Sequence, residues 1–412
     1  MEWIDGAGLL LAVIGVIVFA FRRRLIPRKP VRFFDNRLAA SNPLRGHPST
    51  KHVVLKATGQ RYLVTGGAGF LGSHVVEALL DRGETSVRIL DVADNGRFAG
   101  DSRVEFLHGD LSKLEDCQRA CEGVDVVFHT AAVIQYWASH DFQIPIHARV
   151  NVSGTANLLQ ACLAQGVRKL VQTSTSNVMM THNGRGIDSV DGADERAPYT
   201  TERPCSPYGL TKGYAEKLVL EANGKDAGKG ALLTCALRPP GIFGERDKLV
   251  EATVMDSLPL PLMGYMGRQD WVYVENLVHA HLLAEQKLAL GSGVDGQAFF
   301  ITNGPDGHIN GGELYLKVAE AIYRDSFDRD QDTLKLPLWL LYSIAHPVDW
   351  FHRLTGGKFT STQIAKLTPI TIQYVIPDLR FNDNKARSLL GYSEIYSMSE
   401  AFIRMGIYNR GA

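Results

Sequence analysis

Tyr62-Leu63-Val64-Thr65-Gly66-Gly67-Ala68-Gly69-Phe70-Leu71-Gly72 carries a short apolar strand straight into a run of glycines. A helical pattern follows from Ser73 to about Arg82. Gly66, Gly69 and Gly72 are spaced GxxGxxG, so the turn can be tight and its backbone N–H groups can approach an anion at a helix N-terminus. Glycine alone marks any turn. Here a strand precedes it and a helix follows, which makes the segment, Phe70 and Leu71 included, a pyrophosphate-binding turn.

The chain on the far side repeats the theme. Val87-Arg88-Ile89-Leu90 reads as a second strand and ends at Asp91, nineteen residues after Gly72. An acid there accepts hydrogen bonds from the adenosine ribose and repels a 2′-phosphate, which selects NAD over NADP. Arg97 is the nearby cation that could still meet a phosphate. A third strand, Val104 to Leu107, leads to Gly109-Asp110-Leu111, where Asp110 faces the adenine amino group. A fourth, Val124 to Phe128, leads to His129-Thr130-Ala131-Ala132, residues small enough for the chain to pass under the cofactor. Strand and helix signals in alternation predict an α/β fold with a doubly wound, Rossmann-type parallel sheet.

A proton-transfer group lies further on. Lys169-Leu170-Val171-Gln172 has a buried-strand pattern and runs into Thr173-Ser174-Thr175-Ser176-Asn177-Val178. Downstream, Tyr208 and Lys212 stand four apart at the entry to a helix extending through Gly213 to Glu221, so one face carries both. A free tyrosine has a pKa near ~10 and is a poor base at neutral pH. A neighbouring ammonium and a positive nicotinamide both favour its ionised form. A hydroxyl of the Thr173–Ser176 stretch would hold the substrate oxygen.

Composition sets outer bounds. The 412 residues include 44 basic and 44 acidic side chains, a formal net charge of zero, so no excess of Lys and Arg points to nucleic acid. The five cysteines, Cys117, Cys121, Cys162, Cys205 and Cys235, have no metal-ligand spacing and read as free thiols of a reducing compartment. No metal is expected. From Gly6 to Phe21 the chain carries no charge, Trp3 stands at one end and Arg22-Arg23-Arg24 at the other. Residues 1–21 are therefore expected to form one transmembrane anchor with everything after Phe21 on the cytosolic side. A cleaved signal peptide is the competitor, but Glu2 and Asp5 occupy what should be a basic region. Residues 22–60 read as a basic linker, lying on anionic lipid or simply solvated.

With these motifs in this order, the chain resembles an extended short-chain dehydrogenase/reductase from about residue 62 to 410. The resemblance implies that Gly66, Gly69 and Gly72 bind pyrophosphate, Asp91 ribose and Asp110 adenine, and that Tyr208 and Lys212 are the catalytic pair. It adds Asn151, in Asn151-Val152-Ser153-Gly154-Thr155, as a structural and proton-relay residue. It also implies that Pro239 and Ile242, within Leu237-Arg238-Pro239-Pro240-Gly241-Ile242-Phe243-Gly244, meet the nicotinamide amide. For the hydroxyl partner, the family's serine lies three residues before a valine; counting back from Val178 gives Thr175, with Ser174 second. His129 to Ala132, the Arg238 to Gly244 run, Asp270-Trp271-Val272-Tyr273-Val274-Glu275-Asn276-Leu277-Val278-His279-Ala280-His281 and Leu390-Gly391-Tyr392 are most similar to 3β-hydroxysteroid dehydrogenases and sterol-4α-carboxylate 3-dehydrogenases. His279 and His281 read as packing residues of an apolar helix rather than ligands.

The expected function is NAD-dependent oxidation of a sterol or steroid 3β-hydroxyl, with decarboxylation or Δ5 isomerisation as the second step. Residues 61–245 would form the NAD-binding domain with the Tyr/Lys pair, and 246–412 mainly a smaller substrate-binding lobe, some of its strands returning to the sheet. Leu336 to His346, with Trp350, Phe351 and Leu354 beyond, is too short and interrupted to span a bilayer. It lines a sterol pocket, dips into the lipid interface or is ordinary core of the lobe. The expected partners are a hydrophobic small molecule and, through the N-terminal helix, membrane lipid of the endoplasmic reticulum; a homodimer is allowed and nucleic acid is not. The rival readings are a nucleotide-sugar epimerase or dehydratase of the same fold, and a non-catalytic NAD-binding protein.

Overall fold

The computed structural model describes residues 55–135, 141–247, 254, 260–263, 266–356 and 368–411. Seven parallel strands form the main sheet: β1 (Tyr62–Thr65), β2 (Val87–Asp91), β3 (Val104–His108), β4 (Val126–His129), β5 (Lys169–Thr173), β6 (Ala231–Arg238) and β7 (Gln297–Phe300). Their spatial order is β7-β6-β5-β4-β1-β2-β3, with the two-residue strand Lys225–Asp226 added antiparallel to β6. This is the doubly wound Rossmann order. The winding reverses between β1 and β4, and the crevice at their carboxyl ends is where such sheets bind ligands.

Helices cover both faces. On one side α1 (Phe70–Arg82) and α5 (Val274–Lys287) bury Val75, Leu79, Leu277 and Ala284 against Val64, Ile89 and Phe128. On the other, α2 (Leu114–Cys121), α3 (Gly154–Gln165) and α4 (Pro207–Glu221) pack Cys117, Leu158, Cys162 and Val219 around Leu63, Val127 and Leu170. Strands buried on both faces explain why β1, β4 and β5 read as continuous apolar runs. β7 comes from beyond residue 245, so the later chain returns to this sheet. A second, five-stranded sheet joins Gly241–Phe243, Arg268–Tyr273, His308–Asn310 and Leu379–Phe381 to Val190–Ala193.

Three expectations shift. First, α1 starts at Phe70, not Ser73, because the glycine turn passes directly into helix. Likewise α4 starts at Pro207, where the Ser206 hydroxyl accepts from Gly209 N–H as its N-cap. Second, the last residues assigned to the linker belong to the folded unit. The buried Glu84 carboxylate needs donors, and the Thr58 and Gly59 N–H groups supply them at 2.9 and 3.1 Å. Third, the apolar segment near 340 is a helix, Leu338–Leu354, in which only Ala345 and His352 are buried. Trp339 is 72% exposed, and Trp350 and Leu354 are 64% exposed, so the ordinary-core reading of this segment does not hold.

Among the described residues no helix is long and apolar enough to cross a membrane. The anchor expected at 1–21 and the linker up to residue 54 lie outside them.

Candidate active site

The glycine turn is shaped by two close approaches. Gly66 has φ +71°, and a Cβ there would stand 2.8 Å from the Ala131 Cα. Only glycine lets β1 turn in the left-handed region while the loop after β4 passes this close. Gly69 caps α1, which has no side-chain cap and no acid in its first turn. Its N-terminal backbone donors and positive dipole end are thus left for an anion, as a pyrophosphate requires.

Asp91, at the end of β2, leans against the same turn. Its Oδ2 accepts from Ala68 N–H at 3.1 Å and its Oδ1 from Val92 N–H at 2.7 Å. Arg97 is not aimed at a phosphate: Glu77 of α1 holds its guanidinium, with Nε at 2.8 Å, and also binds Arg246 at 2.9 Å. An uncapped helix end beside a carboxylate at the end of β2, with the local arginine neutralised, fits NAD better than NADP. Asp91→Ala should therefore lower the NAD-to-NADP preference in kcat/KM by about 10-fold or more, since a charge beside a phosphate acts over a few kcal/mol. An unchanged ratio would remove Asp91 from the ribose site.

The remaining cofactor-side residues divide. Asp110 is half-buried after β3, its Oδ1 accepting from Ser112 N–H at 2.9 Å. Leu111 puts its side chain into the core beneath α3, where Gly154 makes room for it, so only its backbone can face a ligand. Thr130 donates its hydroxyl to Thr65 O at 2.7 Å, and half-buried Ala132 follows Ala131 along the loop. Pro239 is buried and its carbonyl accepts from Ser176 N–H at 2.9 Å, while Ile242 is half-buried in the strand Gly241–Phe243.

At the end of β5 the proton-transfer candidates converge. Tyr208 is buried in the first turn of α4, with Thr175 near enough to lower its phenol pKa. Ser174, the second choice, is buried too, but its hydroxyl has no partner among the described residues. Lys212 donates Nζ–H to Thr173 O at 2.7 Å. Burial pushes the Tyr208 phenol up to about 12, against a lowering by Thr175, and pulls the Lys212 ammonium down to about 8. Desolvation thus dominates in the protein without its cofactor, and the positive charge of the nicotinamide, expected to act together with Lys212, has to complete the activation. Asn151 sits in a π-helical turn, Ala148–Ser153, ahead of α3. Its amide bonds both polar groups of the Val133 backbone, at 2.8 and 3.1 Å, and donates to Thr211 Oγ1 at 3.2 Å, one residue from Lys212.

Some of the framework escaped the sequence reading. His129 is buried, and desolvation holds it neutral with its pKa lowered to about 3. Thr155 gives its one proton to Asn151 O at 2.6 Å, so His129 Nε2–H donates to Thr155 at 2.9 Å and Nδ1 accepts from Thr65 at 2.8 Å. One tautomer thereby ties the ends of β1 and β4 to Asn151. Arg238 is no substrate group, because Glu216 of α4 pairs with it at 2.6 Å and both are buried. His281 donates Nδ1–H to Leu277 O at 2.8 Å and accepts from Thr173 Oγ1 at 2.7 Å, a packing role. No group of metal-binding side chains occurs among the described residues, and the five cysteines are free and buried.

A Rossmann sheet with this glycine turn and a Tyr/Lys pair beside a threonine defines an extended short-chain dehydrogenase/reductase. Within that class the chain belongs to the 3-beta hydroxysteroid dehydrogenase/isomerase family, whose sequence profile matches residues 63–310. It is 32% identical over 363 residues to "3beta-hydroxysteroid-dehydrogenase/decarboxylase isoform 1" of Arabidopsis thaliana, covering 83% of this chain and 78% of that one. It is 34% identical over 354 residues to "3 beta-hydroxysteroid dehydrogenase/Delta 5-->4-isomerase" of Mycobacterium tuberculosis, covering 83% and 88%. With "Sterol-4-alpha-carboxylate 3-dehydrogenase, decarboxylating" of Mus musculus it shares 31% over 346 residues, again 83% and 88%. Among solved structures, the UDP-glucose 4-epimerase of Thermus thermophilus in complex with NAD superimposes with a TM-score of 0.58 at 26% identity, covering 85% of this chain and 99% of that one. The dTDP-glucose 4,6-dehydratase of Streptomyces venezuelae, with NAD bound, gives a TM-score of 0.62 at 22% identity over 85% and 97%, a likeness of fold.

Proposed function

We propose that this protein oxidises the 3β-hydroxyl of a sterol or steroid, with NAD⁺ as hydride acceptor and Tyr208 as base. The observation that carries the reading is Tyr208 buried in the first turn of α4, with Thr175 near its phenol and Lys212 one turn on, in a chain of this family. Bound NAD⁺ supplies the hydride acceptor and a positive charge near the phenol. Thr175 holds the substrate oxygen and Tyr208 takes its proton as C3 becomes a ketone. Lys212, fixed by Thr173 O, keeps its ammonium on the Tyr208 side of α4 and favours the phenolate.

A 4α-carboxylate on the substrate would make the product a β-keto acid, which loses CO₂ through an enolate without a further residue. A Δ5 double bond would instead allow migration to the conjugated Δ4 ketone. Relatives with either activity in their names support the substrate class. The nucleotide-sugar reading is supported by fold, and a pure NAD sensor has no use for the Tyr/Lys pair that this chain retains. The membrane belongs to the same proposal: residues 1–21 form a single-pass anchor in the endoplasmic reticulum, and the catalytic unit lies in the cytosol where it meets a lipid-dissolved substrate, with a homodimer as an allowed assembly. The uncharged run from Gly6 to Phe21 followed by Arg22-Arg23-Arg24 supports that placement.

Membranes containing the full chain, offered a 4α-carboxysterol and a Δ5-3β-hydroxysteroid in parallel, separate the two outcomes. NADH with CO₂ release assigns sterol C4 decarboxylation, and NADH with a Δ4-3-ketone assigns dehydrogenation with isomerisation. Silence with both would overturn the substrate class.

A further inference from the structure

Tyr374 lies in the short helix Pro369–Val375, more than 160 residues from Tyr208 in the chain. Its hydroxyl donates to Ser206 Oγ at 2.9 Å, accepts from Asn177 Nδ2 at 3.1 Å and stands 3.2 Å from Cys205 Sγ. A phenol has a single proton, and Ser206 takes it, so Cys205 is the donor in the sulfur contact. These partners belong to the two segments that carry Tyr208 and Thr175. Ser206 is the N-cap of α4, two residues before Tyr208. Asn177 donates its backbone N–H to Thr175 Oγ1 at 3.2 Å. The segments touch where a Cβ on Gly209 would stand 2.8 Å from Asn177 O.

We propose that Tyr374 is a positioning residue of the active site, a clamp from the late chain that holds the Thr175 segment against the N-terminus of the Tyr208 helix. The clamp is itself braced. Gln269 donates Nε2–H to Tyr374 O at 2.5 Å, and Gln373 bonds His182 at 3.0 Å and Arg185 O at 3.3 Å. The later part of the chain thus sets the geometry of the proton-transfer pair without touching the transferred proton.

The inference rests on Tyr208 being the base, so its test is chosen to be independent of sterol turnover. The readout is the phenolate absorbance of Tyr208, titrated with NAD⁺ bound and taken as the difference from the matching Tyr208→Phe protein. The titratable groups facing Tyr208 are Cys205 and Tyr374, with Lys212 one turn on along α4 and Glu216 one turn beyond it. Thr175 favours the phenolate. In Tyr374→Phe the pair loosens, and the midpoint should rise by about one pH unit. Below both midpoints the phenolate fraction, and with it kcat, then falls about tenfold, while NAD⁺ affinity holds. Gln373→Ala, which loosens the same helix away from the clamp, should leave the midpoint in place. An unmoved midpoint in folded Tyr374→Phe, or an equal shift in Gln373→Ala, overturns the clamp. A wild-type protein that shows the phenolate step but oxidises no sterol would sink the substrate reading and leave the clamp standing.

Discussion

Tyr208→Phe is expected to lower turnover about 1,000-fold, the middle of the range for losing a positioned base, while NAD⁺ affinity stays within about twofold. The loss corresponds to about 4 kcal/mol of transition-state stabilisation. The prediction follows from where the hydroxyl sits. Its ring is buried in the first turn of α4, so the substitution deletes one oxygen and little packing. The glycine turn, Asp91 and the uncapped end of α1 are untouched, and they are the parts that fit the dinucleotide. Titration with NAD⁺ and steady-state kinetics on the same preparation separate the two effects. A sensor protein would be indifferent in both, and an enzyme with another base would keep its turnover. The pH profile adds a sign. Burial raises the phenol to about 12, and the base acts ionised, so wild-type kcat should climb with pH along its acid limb. In Tyr208→Phe that limb should vanish.

The second large effect is expected of Gly72→Ala. A Cβ at Gly72 would stand 2.1 Å from Gly66 O and 2.8 Å from Gly67 Cα, both backbone atoms that no rotamer change can move aside. The α1 terminus has to back away from the turn, at about 1–3 kcal/mol for an overpacked site. Placed on the binding-competent turn, that is about 5- to 150-fold in NAD⁺ affinity. Thermal melts with and without NAD⁺ are the check, because the variant should lose most of the stabilisation that the wild type gains from the cofactor. A variant melting like wild type with full NAD⁺ stabilisation would mean that α1 tolerates the displacement.

Much of the fold was legible because its signals are local. The strand, glycine turn and helix from Tyr62 to Arg82 follow one another without a break, and the strands at 87, 104 and 126 follow at short spacing, the last after the helix Leu114–Cys121. Tyr208 and Lys212 were legible for the same reason, since one helix turn joins them. The choice of Thr175 over Ser174 came from a resemblance; the structure buries both side chains at the end of β5. What escaped depends on contacts between distant segments. His129 looked like part of a small-residue loop; its role comes from Thr65 and Thr155 meeting it from two other elements. Tyr374 shows no pattern at all in its own neighbourhood, because its partners Asn177 and Ser206 lie far upstream. The burial around Tyr208 and Lys212 was not legible for a related reason: spacing reveals a neighbour, while the depth of burial that opposes ionisation is a property of the whole fold. Leu338–Leu354 was ambiguous because apolar composition cannot say which face other elements will cover, and here the Trp339 and Trp350 side is left exposed.

The central claim is oxidation of a 3β-alcohol by the Tyr208 site, and a single comparison tests it most directly. The full-length protein in detergent is given NAD⁺ with a 3β-hydroxysteroid, its 3α epimer, or UDP-glucose, and absorbance at the NADH band is followed. NADH accumulating with the 3β alcohol, absent with its epimer and with the Tyr208→Phe variant, is the expected result. UDP-glucose conversion with no NADH from the 3β alcohol would contradict the account and return the protein to the nucleotide-sugar enzymes of the same fold.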